Sequence, residues 1–314
     1  MTSSVRVEAP TRLHLGMLAV AGEGGRRFGG LGASVSRPAV VIEAQAADDL
    51  SAEGDDAERA LMFARRCQEA LGLDGGAHLR VGEAIPPHVG LGSGTKLALA
   101  VAQALAALHE REVAAPDLAR AVGRAARSAV GTWTFALGGL VVEGGVPRGE
   151  ERLAPLLARY EVPSEWRVVL VVPCADPGLS GVAEEEAFRR LVPSAERSAT
   201  IAQLVLTSLL PALVDGEIEE FGGALTRVQQ LVGDAFATVQ GGRFHPRAGA
   251  LVEALLRHGA AGAGQSSWGP AVSGVVGSEA AGRELAGRME EVVAGEGTVA
   301  LVTFDNRGVR VERS

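Results

Sequence analysis

From Val5 to Leu15, in "SVRVEAPTRLHLGML", apolar and polar residues alternate with the period of a half-buried strand, and Pro10 marks a bend in it. "AVVIEAQA" and "AHLRVGEAIPP" predict two further strands, while 57–71 carries apolar residues at helical spacing until Gly72 stops it. A glycine-rich turn, "VGLGSGT", then runs straight into "KLALAVAQALAAL", an Ala- and Leu-rich helix ending near Glu110. "PDLARAVGRAARSAV" predicts a second helix, and "TWTFALGGLVVEGG" reads as strand material with glycine turns.

Between Val162 and Trp166 the texture changes. "WRVVLVVP" is the solid apolar run of a buried strand, and helical spacing returns at 183–191, 198–214, 218–236 and 246–258. "AVSGVVG" predicts a strand, 280–293 a helix, and "TVALVTFDNRGVRVE" a closing hairpin with Asn306, Arg307 and Gly308 at its turn. There is no internal repeat and no low-complexity linker. Strands and helices interleave in both halves, which predicts an α+β or α/β protein of two domains, 1–163 and 164–314.

Composition narrows the function classes. The chain has 314 residues, 47% hydrophobic and 22% charged, enough to bury a core without metal or disulfide staples. Net charge is −8 and the longest basic tract is the pair Arg26-Arg27, which argues against a nucleic-acid partner. The N-terminus lacks the layout of a signal peptide, and no apolar run approaches a bilayer span. Cys67 and Cys174 form no metal-ligand spacing and are expected to be reduced, so a cytoplasmic setting with no membrane partner is expected.

The chemistry concentrates at "IPPHVGLGSGTKLALAV". Gly90, Gly92 and Gly94 alternate with Leu91, Ser93 and Thr95 ahead of the helix, and Lys96, the only lysine in the chain, sits at the junction. Glycines let a ligand approach the backbone closely, and the first turn of the helix offers unpaired amides at the positive end of its dipole. A phosphate or pyrophosphate suits that seat; a plain helix cap in a tight turn is the alternative. The order of Thr95, Lys96 and Leu97 is not that of the Walker loop.

The longer stretch "PPHVGLGSGT" resembles the phosphate loop of the superfamily of galactokinase, homoserine kinase, mevalonate kinase and phosphomevalonate kinase, with Gly94 replacing a serine. "PTRLHLG" resembles its N-terminal motif and "GAGAGQSSWGP" occupies the place of its C-terminal glycine-rich motif. "RRFGGLGASV", "PPHVGLGSGTKLALAV", "PGLSGVAEEEAF" and "GAGQSSWGP" together resemble one branch, the β-ribofuranosylaminobenzene 5′-phosphate synthases of methanopterin biosynthesis. The resemblance implies an α+β fold: an N-terminal domain like ribosomal protein S5 and a C-terminal ferredoxin-like domain. It also implies a Mg²⁺-dependent homodimer that joins 5-phosphoribosyl-1-pyrophosphate to 4-aminobenzoate or 4-hydroxybenzoate, releasing CO2 and pyrophosphate. The superfamily kinases often carry an Asp before the "GG" strand as base for the substrate hydroxyl; here Gly131, Thr132 and Trp133 stand there, and no Asp lies between Asp117 and Glu143. An ATP-dependent kinase and a catalytically inactive binding protein of the same fold remain the alternatives.

On this reading Gly90, Leu91, Gly92, Ser93, Gly94, Thr95 and Lys96 bind donor phosphate, and Gly264, Ser266 and Ser267 line the facing wall. Arg26 and Arg27, Ser180 and Gln265 are the catalytic candidates, with a solvated pair as the other meaning of the two arginines. Arg12, His14 and Trp268 are pocket candidates; His14 follows Arg12 by two residues and shares its face of the strand. Asp176 and Glu185 are the candidate Mg²⁺ ligands, although acids in the helix start "AEEEAF", Glu184 to Glu186, also serve its dipole.

Overall fold

A computed structural model describes residues 4–19, 25–124, 128–179 and 181–314; Ser180 therefore lies outside the described residues. Two long strands, β1 (Ser4–Ala19) and β2 (Arg26–Ala47), form an antiparallel ribbon that organises the first sheet. β4 (Gly76–Glu83) pairs with β2, and β3 (Ser51–Gly54) pairs with β4 in parallel. The early part of β2 also carries β5 (Leu140–Glu143) and β6 (Val146–Pro147), and β7 (Leu156–Tyr160) lies on β5.

The register of β1 on β2 slips between Pro10 and Thr11 and again between His14 and Gly16. Proline gives the first slip a cause, since it has no N–H for the ladder. Bulges re-aim side chains, and Arg12 and His14 lie between these two.

Helices α1 (Ala57–Leu71), α2 (Ser93–Leu108) and α4 (Val130–Leu137) pack with this sheet, and α3 (Ala115–Ala121) packs on these three helices. α2 is apolar nearly all round, and all but a few of its residues are buried, as expected of a central helix.

The second sheet has the order β11–β8–β10–β9 and is antiparallel throughout. Its strands are β8 (Arg167–Pro173), β9 (Gly262–Gln265), β10 (Val272–Val276) and β11 (Gly297–Thr303). Between β8 and β9 lie α5 (Gly181–Arg190), α6 (Ala195–Leu204), a π-helical turn (Val205–Leu209), α7 (Leu210–Asp215), α8 (Ile218–Gln240) and α9 (Gly249–Arg257). α10 (Glu279–Val293) joins β10 to β11. Chain order and sheet order together are those of a ferredoxin-like domain, as the resemblance implies.

Three expectations change. "TWTFAL" is helix, not strand: the Thr134 hydroxyl donates back to the Val130 carbonyl, and Gly138 at φ 61° ends the turn. Its β-branched and aromatic residues reflect burial, which overrides propensity. The helix at "PDLARAVGRAARSAV" is short, stopping at Ala121 just before Gly123 at φ 70°. The closing hairpin does not form: β11 pairs with β8, whereas β12 (Arg310–Arg313) crosses to pair with β1 in the first sheet. The crossing is held by the buried Asp305 carboxylate, which accepts from the Gly308 and Arg307 amides and from Arg310. The last strand thus packs with the N-terminal half of the chain. Ala195–Asp215 has the length and hydropathy of a bilayer span; it packs on α8 and β1 with a third of its apolar window buried.

Candidate active site

Gly90 and Gly92 adopt φ of 93° and 79°, a left-handed backbone that a side chain resists. A Cβ at Gly90 would lie 2.0 Å from the Ser266 carbonyl oxygen, so glycine there also permits a close backbone approach. Ser266 Oγ donates to the Gly90 carbonyl at 2.8 Å, and the Ala271 amide donates to that of Val89 at 3.1 Å. The two glycine-rich motifs are therefore interlocked, and the second domain holds the shape of the loop.

α2 starts at Ser93 with Gly92 as its cap and no side chain capping its first amides. Those amides open on a cavity of about 710 Å³ lined by Gly90, Gly92, Ser93, Gly94 and Thr95. Two guanidiniums hang over the same spot: a Cβ on Gly94 would lie 2.9 Å from Arg59 Nη2 and 3.0 Å from Arg124 Nη2. Arg59 is oriented by Asp56 at 2.9 Å, and Arg124 stacks 5.1 Å from the ring centre of Phe63. Arg12 enters from β1 and donates to the Gly90 carbonyl. Burial pushes its pKa down to about 10 against the pull of Glu184, so it remains a cation at neutral pH. One end of the cavity is thus built for a highly charged anion.

The other end is aromatic. Phe236 and Trp268 stack with ring centres 4.4 Å apart, Phe188 meets Trp268 edge-on at 5.2 Å, and Phe28 meets Phe188 edge-on at 5.2 Å. All four line the cavity, and such a chamber suits a flat ring.

His14 lies along β1 between the two ends. Its Nε2 is 3.2 Å from Ser128 Oγ, and burial with Arg12 nearby pushes its pKa down to about 3, so the imidazole is neutral at physiological pH. Behind Ser128 lies Glu143, fully buried, accepting from the Gly145 amide at 2.7 Å and the Ala129 amide at 3.4 Å. Burial raises its pKa to about 7, although these amides, Ser128 and Arg26 all favour the carboxylate.

Several of the sequence candidates stand elsewhere. Lys96 is fully buried on the far side of the loop, where its amine donates to Thr134 Oγ1 at 3.1 Å and lies 5.8 Å from the ring centre of Phe135. Burial, then Arg12, drives its pKa well below the usual value; it is no phosphate ligand. Leu91 turns its side chain into the core, and its carbonyl accepts from Thr11. Arg26 donates to the Gly144 and Gly145 carbonyls at 2.7 and 2.8 Å, and Arg27 is exposed over the ring of Phe28. Neither arginine lines the cavity.

On the facing wall, Ser267, Trp268 and Gln265 reach the cavity. The Gln265 amide is engaged on both sides, accepting from the His245 amide and donating to the Ser267 carbonyl, so it shapes the wall. Gly264 and Ser266 lie behind; a Cβ at Gly264 would be 2.3 Å from Gln229 Cγ. Sequence reasoning missed Arg59, Arg124, Phe188, Phe236 and Glu143. Phe188 ends the motif "PGLSGVAEEEAF", which could have marked it; no local signal marks the other four, because each comes from an element remote in the chain and reads there as an ordinary helix or strand residue.

For Mg²⁺, no three His, Cys, Asp or Glu converge among the described residues. Glu184 and Glu185 do line the cavity, whereas Asp176 faces His245 and does not. Two carboxylates at the mouth fit a hard ion that also takes oxygens from a bound phosphate.

Residues 58–139 match the GHMP kinases N terminal domain, and residues 209–295 match the GHMP kinases C terminal domain. The chain is 32% identical to the β-ribofuranosylphenol 5′-phosphate synthase of Methanothermobacter thermautotrophicus over 98% of both chains. It is also 32% identical to the enzyme of that name from Archaeoglobus fulgidus, over 98% of this chain and 99% of the other. Among solved structures it resembles homoserine kinase from Cytophaga hutchinsonii, with TM-score 0.74 and 18% identity over 99% of this chain and 98% of that one. Mevalonate kinase from Methanococcus jannaschii superposes with TM-score 0.70 and 16% identity over 96% of this chain and 98% of that one. The two kinases are similar in fold.

Proposed function

This chain belongs to the GHMP kinase superfamily and, within it, to the β-ribofuranosylphenol 5′-phosphate synthases, and from that premise we propose that it joins 5-phosphoribosyl-1-pyrophosphate to a para-substituted benzoate with loss of CO2 and pyrophosphate. The phenol in the names of the relatives favours 4-hydroxybenzoate over 4-aminobenzoate as acceptor. The pathway served is methanopterin biosynthesis.

The observation that carries this reading is the division of one cavity into a cationic end and an aromatic end. The donor's pyrophosphate takes the α2 amides with Arg12, Arg59 and Arg124, and the acceptor ring enters among Phe28, Phe188, Phe236 and Trp268. The C–C bond then forms between them, at the level of His14. The ring carbon that bears the carboxylate attacks the anomeric carbon, pyrophosphate departs, and the electron pair of the C–CO2 bond restores the aromatic ring. No base is needed at that carbon, in keeping with the absence of an acid at Gly131, Thr132 and Trp133. Holding two reactants face to face and stabilising the departing charge are the tasks left to the protein.

Glu184 and Glu185, with the donor's own phosphate oxygens, are the residues that would hold Mg²⁺. When bound, it neutralises charge on the pyrophosphate.

The test is release of labelled CO2 from carboxyl-labelled 4-hydroxybenzoate and 4-aminobenzoate, with donor and Mg²⁺ each omitted in turn. Release that requires the donor is expected, faster with the hydroxy acid. No release from either acid overturns the reading and directs attention to ATP consumption.

A further inference from the structure

The donor of the transfer put forward above is anionic at two places, and the seat at the α2 amides accounts for one of them. Stereochemistry sets where the other falls. 5-Phosphoribosyl-1-pyrophosphate carries its pyrophosphate on the α face of the ribose, and a carbon that displaces it enters from the β face. The names of the relatives record that outcome, a β-ribofuranosyl product. The C5 carbon and its phosphate project from the β face too. On that transfer the 5-phosphate falls on the acceptor's side of the sugar, toward the aromatic end and away from Arg12, Arg59 and Arg124.

Four arginines line the cavity among the described residues, and Arg243 is the one outside the pyrophosphate seat. It belongs to the connection 241–248 between α8 and α9, which is pinned against the aromatic end from several sides. Arg243 packs over Gly233 of α8: a Cβ there would lie 2.3 Å from the Arg243 carbonyl oxygen and 2.7 Å from its Cγ. Gly233 stands one helical turn before Phe236, the ring that stacks on Trp268. Gln240 Nε2 donates to the Arg243 carbonyl at 2.8 Å. The Gln265 side chain, held between the His245 amide and the Ser267 carbonyl, ties the same connection to the residue before Trp268.

The guanidinium is oriented as well. Its Nε and Nη2 donate to the two oxygens of Asp234 at 2.7 and 3.2 Å, which leaves Nη1 and one hydrogen of Nη2 to bind elsewhere. Gln240 and Ser267 line the same cavity, and the Ser267 hydroxyl and the second Gln240 amide hydrogen have no partner among the described residues. Ser267 also holds a φ of 56°, a conformation that a side chain resists and that gathers where ligands are clamped. The Arg243 side chain is 47% exposed, so these donors stand at the rim, where a phosphate ester keeps part of its water. We propose that Arg243, with Ser267 and Gln240, holds the 5-phosphate of the donor. The proposal rests on the phosphoribosyl transfer put forward above. Gripped at both ends, the sugar turns its α face to the α2 amides and its β face to the acceptor ring.

Isothermal titration compares the donor with pyrophosphate alone, each with Mg²⁺ and without acceptor, on the wild-type chain and on Arg243→Gln and Arg243→Lys. Pyrophosphate reports the α2 seat only, so the ratio of the two affinities isolates the ribose 5-phosphate half. Arg243→Gln should cut that ratio roughly 10- to 100-fold, the worth of a hydrogen bond to a charged group, and change pyrophosphate affinity less than about twofold. Arg243→Lys should bring the ratio back to within about fivefold of wild type, because an ammonium serves a phosphate as a point charge but cannot reproduce the two-pronged bond to Asp234. Arg124→Gln should do the opposite, weakening donor and pyrophosphate together and leaving the ratio in place.

A ratio that survives Arg243→Gln overturns the site, as does a wild-type chain that binds the donor no more tightly than pyrophosphate. A lysine variant as poor as the glutamine one marks Arg243 as a clamp on its connection and overturns it too. A rise in acceptor KM with the ratio intact hands Arg243 to the acceptor instead. The fate of the transfer is read separately. A chain that shows the expected ratios and releases no CO2 keeps the sugar-phosphate site and overturns the transfer. One that releases CO2 with a ratio unmoved by Arg243→Gln keeps the transfer and overturns the site.

Discussion

Two basic residues flank the same glycine turn and meet opposite fates. Arg12 emerges from β1 into the cavity, bonds the Gly90 carbonyl, and stays charged, because burial lowers its pKa only to about 10 against the pull of Glu184. Lys96, one residue past the turn, points into the core beneath it, where burial drives its pKa well below the usual value. The difference teaches that the anion seat is assembled from guanidiniums on separate elements, not from the lysine that the sequence sets beside the loop. Arg suits such a place because its charge survives desolvation better than that of an ammonium.

The largest effect should come from closing the seat itself. Gly92→Val puts a side chain against Arg12, 3.1 Å from its guanidinium, at a φ of 79° that valine resists. Donor kcat/KM should fall on the order of 1,000-fold or more, since the phosphates lose both amides and geometry. Isothermal titration with the donor checks it, and unchanged affinity would remove the loop from the donor site.

Next is a pH effect on stability at the buried Glu143. The folded-state pKa of Glu143 is raised from 4.5 to about 7. The folded protein therefore binds the extra proton, and the stability this gives is complete below about pH 4.5 and lost as pH rises through about 7. That is a loss of about 3 kcal/mol from the shift alone. Denaturant melts at about pH 5 and about pH 8 should show it in wild type and much less of it in Glu143→Gln.

Arg124→Gln sharpens the comparison between the two sides of the turn. It should weaken donor binding by roughly 10- to 100-fold, the worth of a hydrogen bond to a charged group, and leave acceptor KM within about twofold. Phe236→Leu should do the reverse, costing acceptor binding about three- to tenfold through loss of the stack on Trp268 and sparing the donor. Lys96→Met should do least. An apolar side chain of similar length replaces a desolvated amine, so the melting temperature should hold or rise and donor KM should change by less than about threefold. A tenfold rise in donor KM would return Lys96 to the phosphate seat.

Legibility followed distance along the chain. The glycine loop was readable because its glycines, its hydroxyls and the helix behind it are contiguous, and the conformation they require is local. The resemblance supplied the two-domain fold by the same route, through motifs that are each continuous stretches. Arg12, His14 and Trp268 were found because they lie inside such motifs, and they do reach the cavity. Arg26 and Arg27 lie inside one too, but the guanidinium of Arg26 is turned back on the Gly144 and Gly145 carbonyls. A motif names the neighbourhood of a side chain and leaves its direction open.

The same limit explains the misread elements. "TWTFAL" has the composition of a strand and lies as a buried helix, and the final strand leaves its neighbour β11 for β1 because the Asp305 carboxylate ties the crossing. The sequence by itself determined the local matters: the hydrophobic alternation of β1, the apolar α2, and the positive-φ glycines that shape the loop ahead of it. Only the tertiary structure decided which charges surround that seat, which aromatics face it, and that a buried glutamate stands behind His14. Those depend on contacts between residues scores of positions apart, where the energy lies in desolvation and packing that no stretch of chain has before it folds.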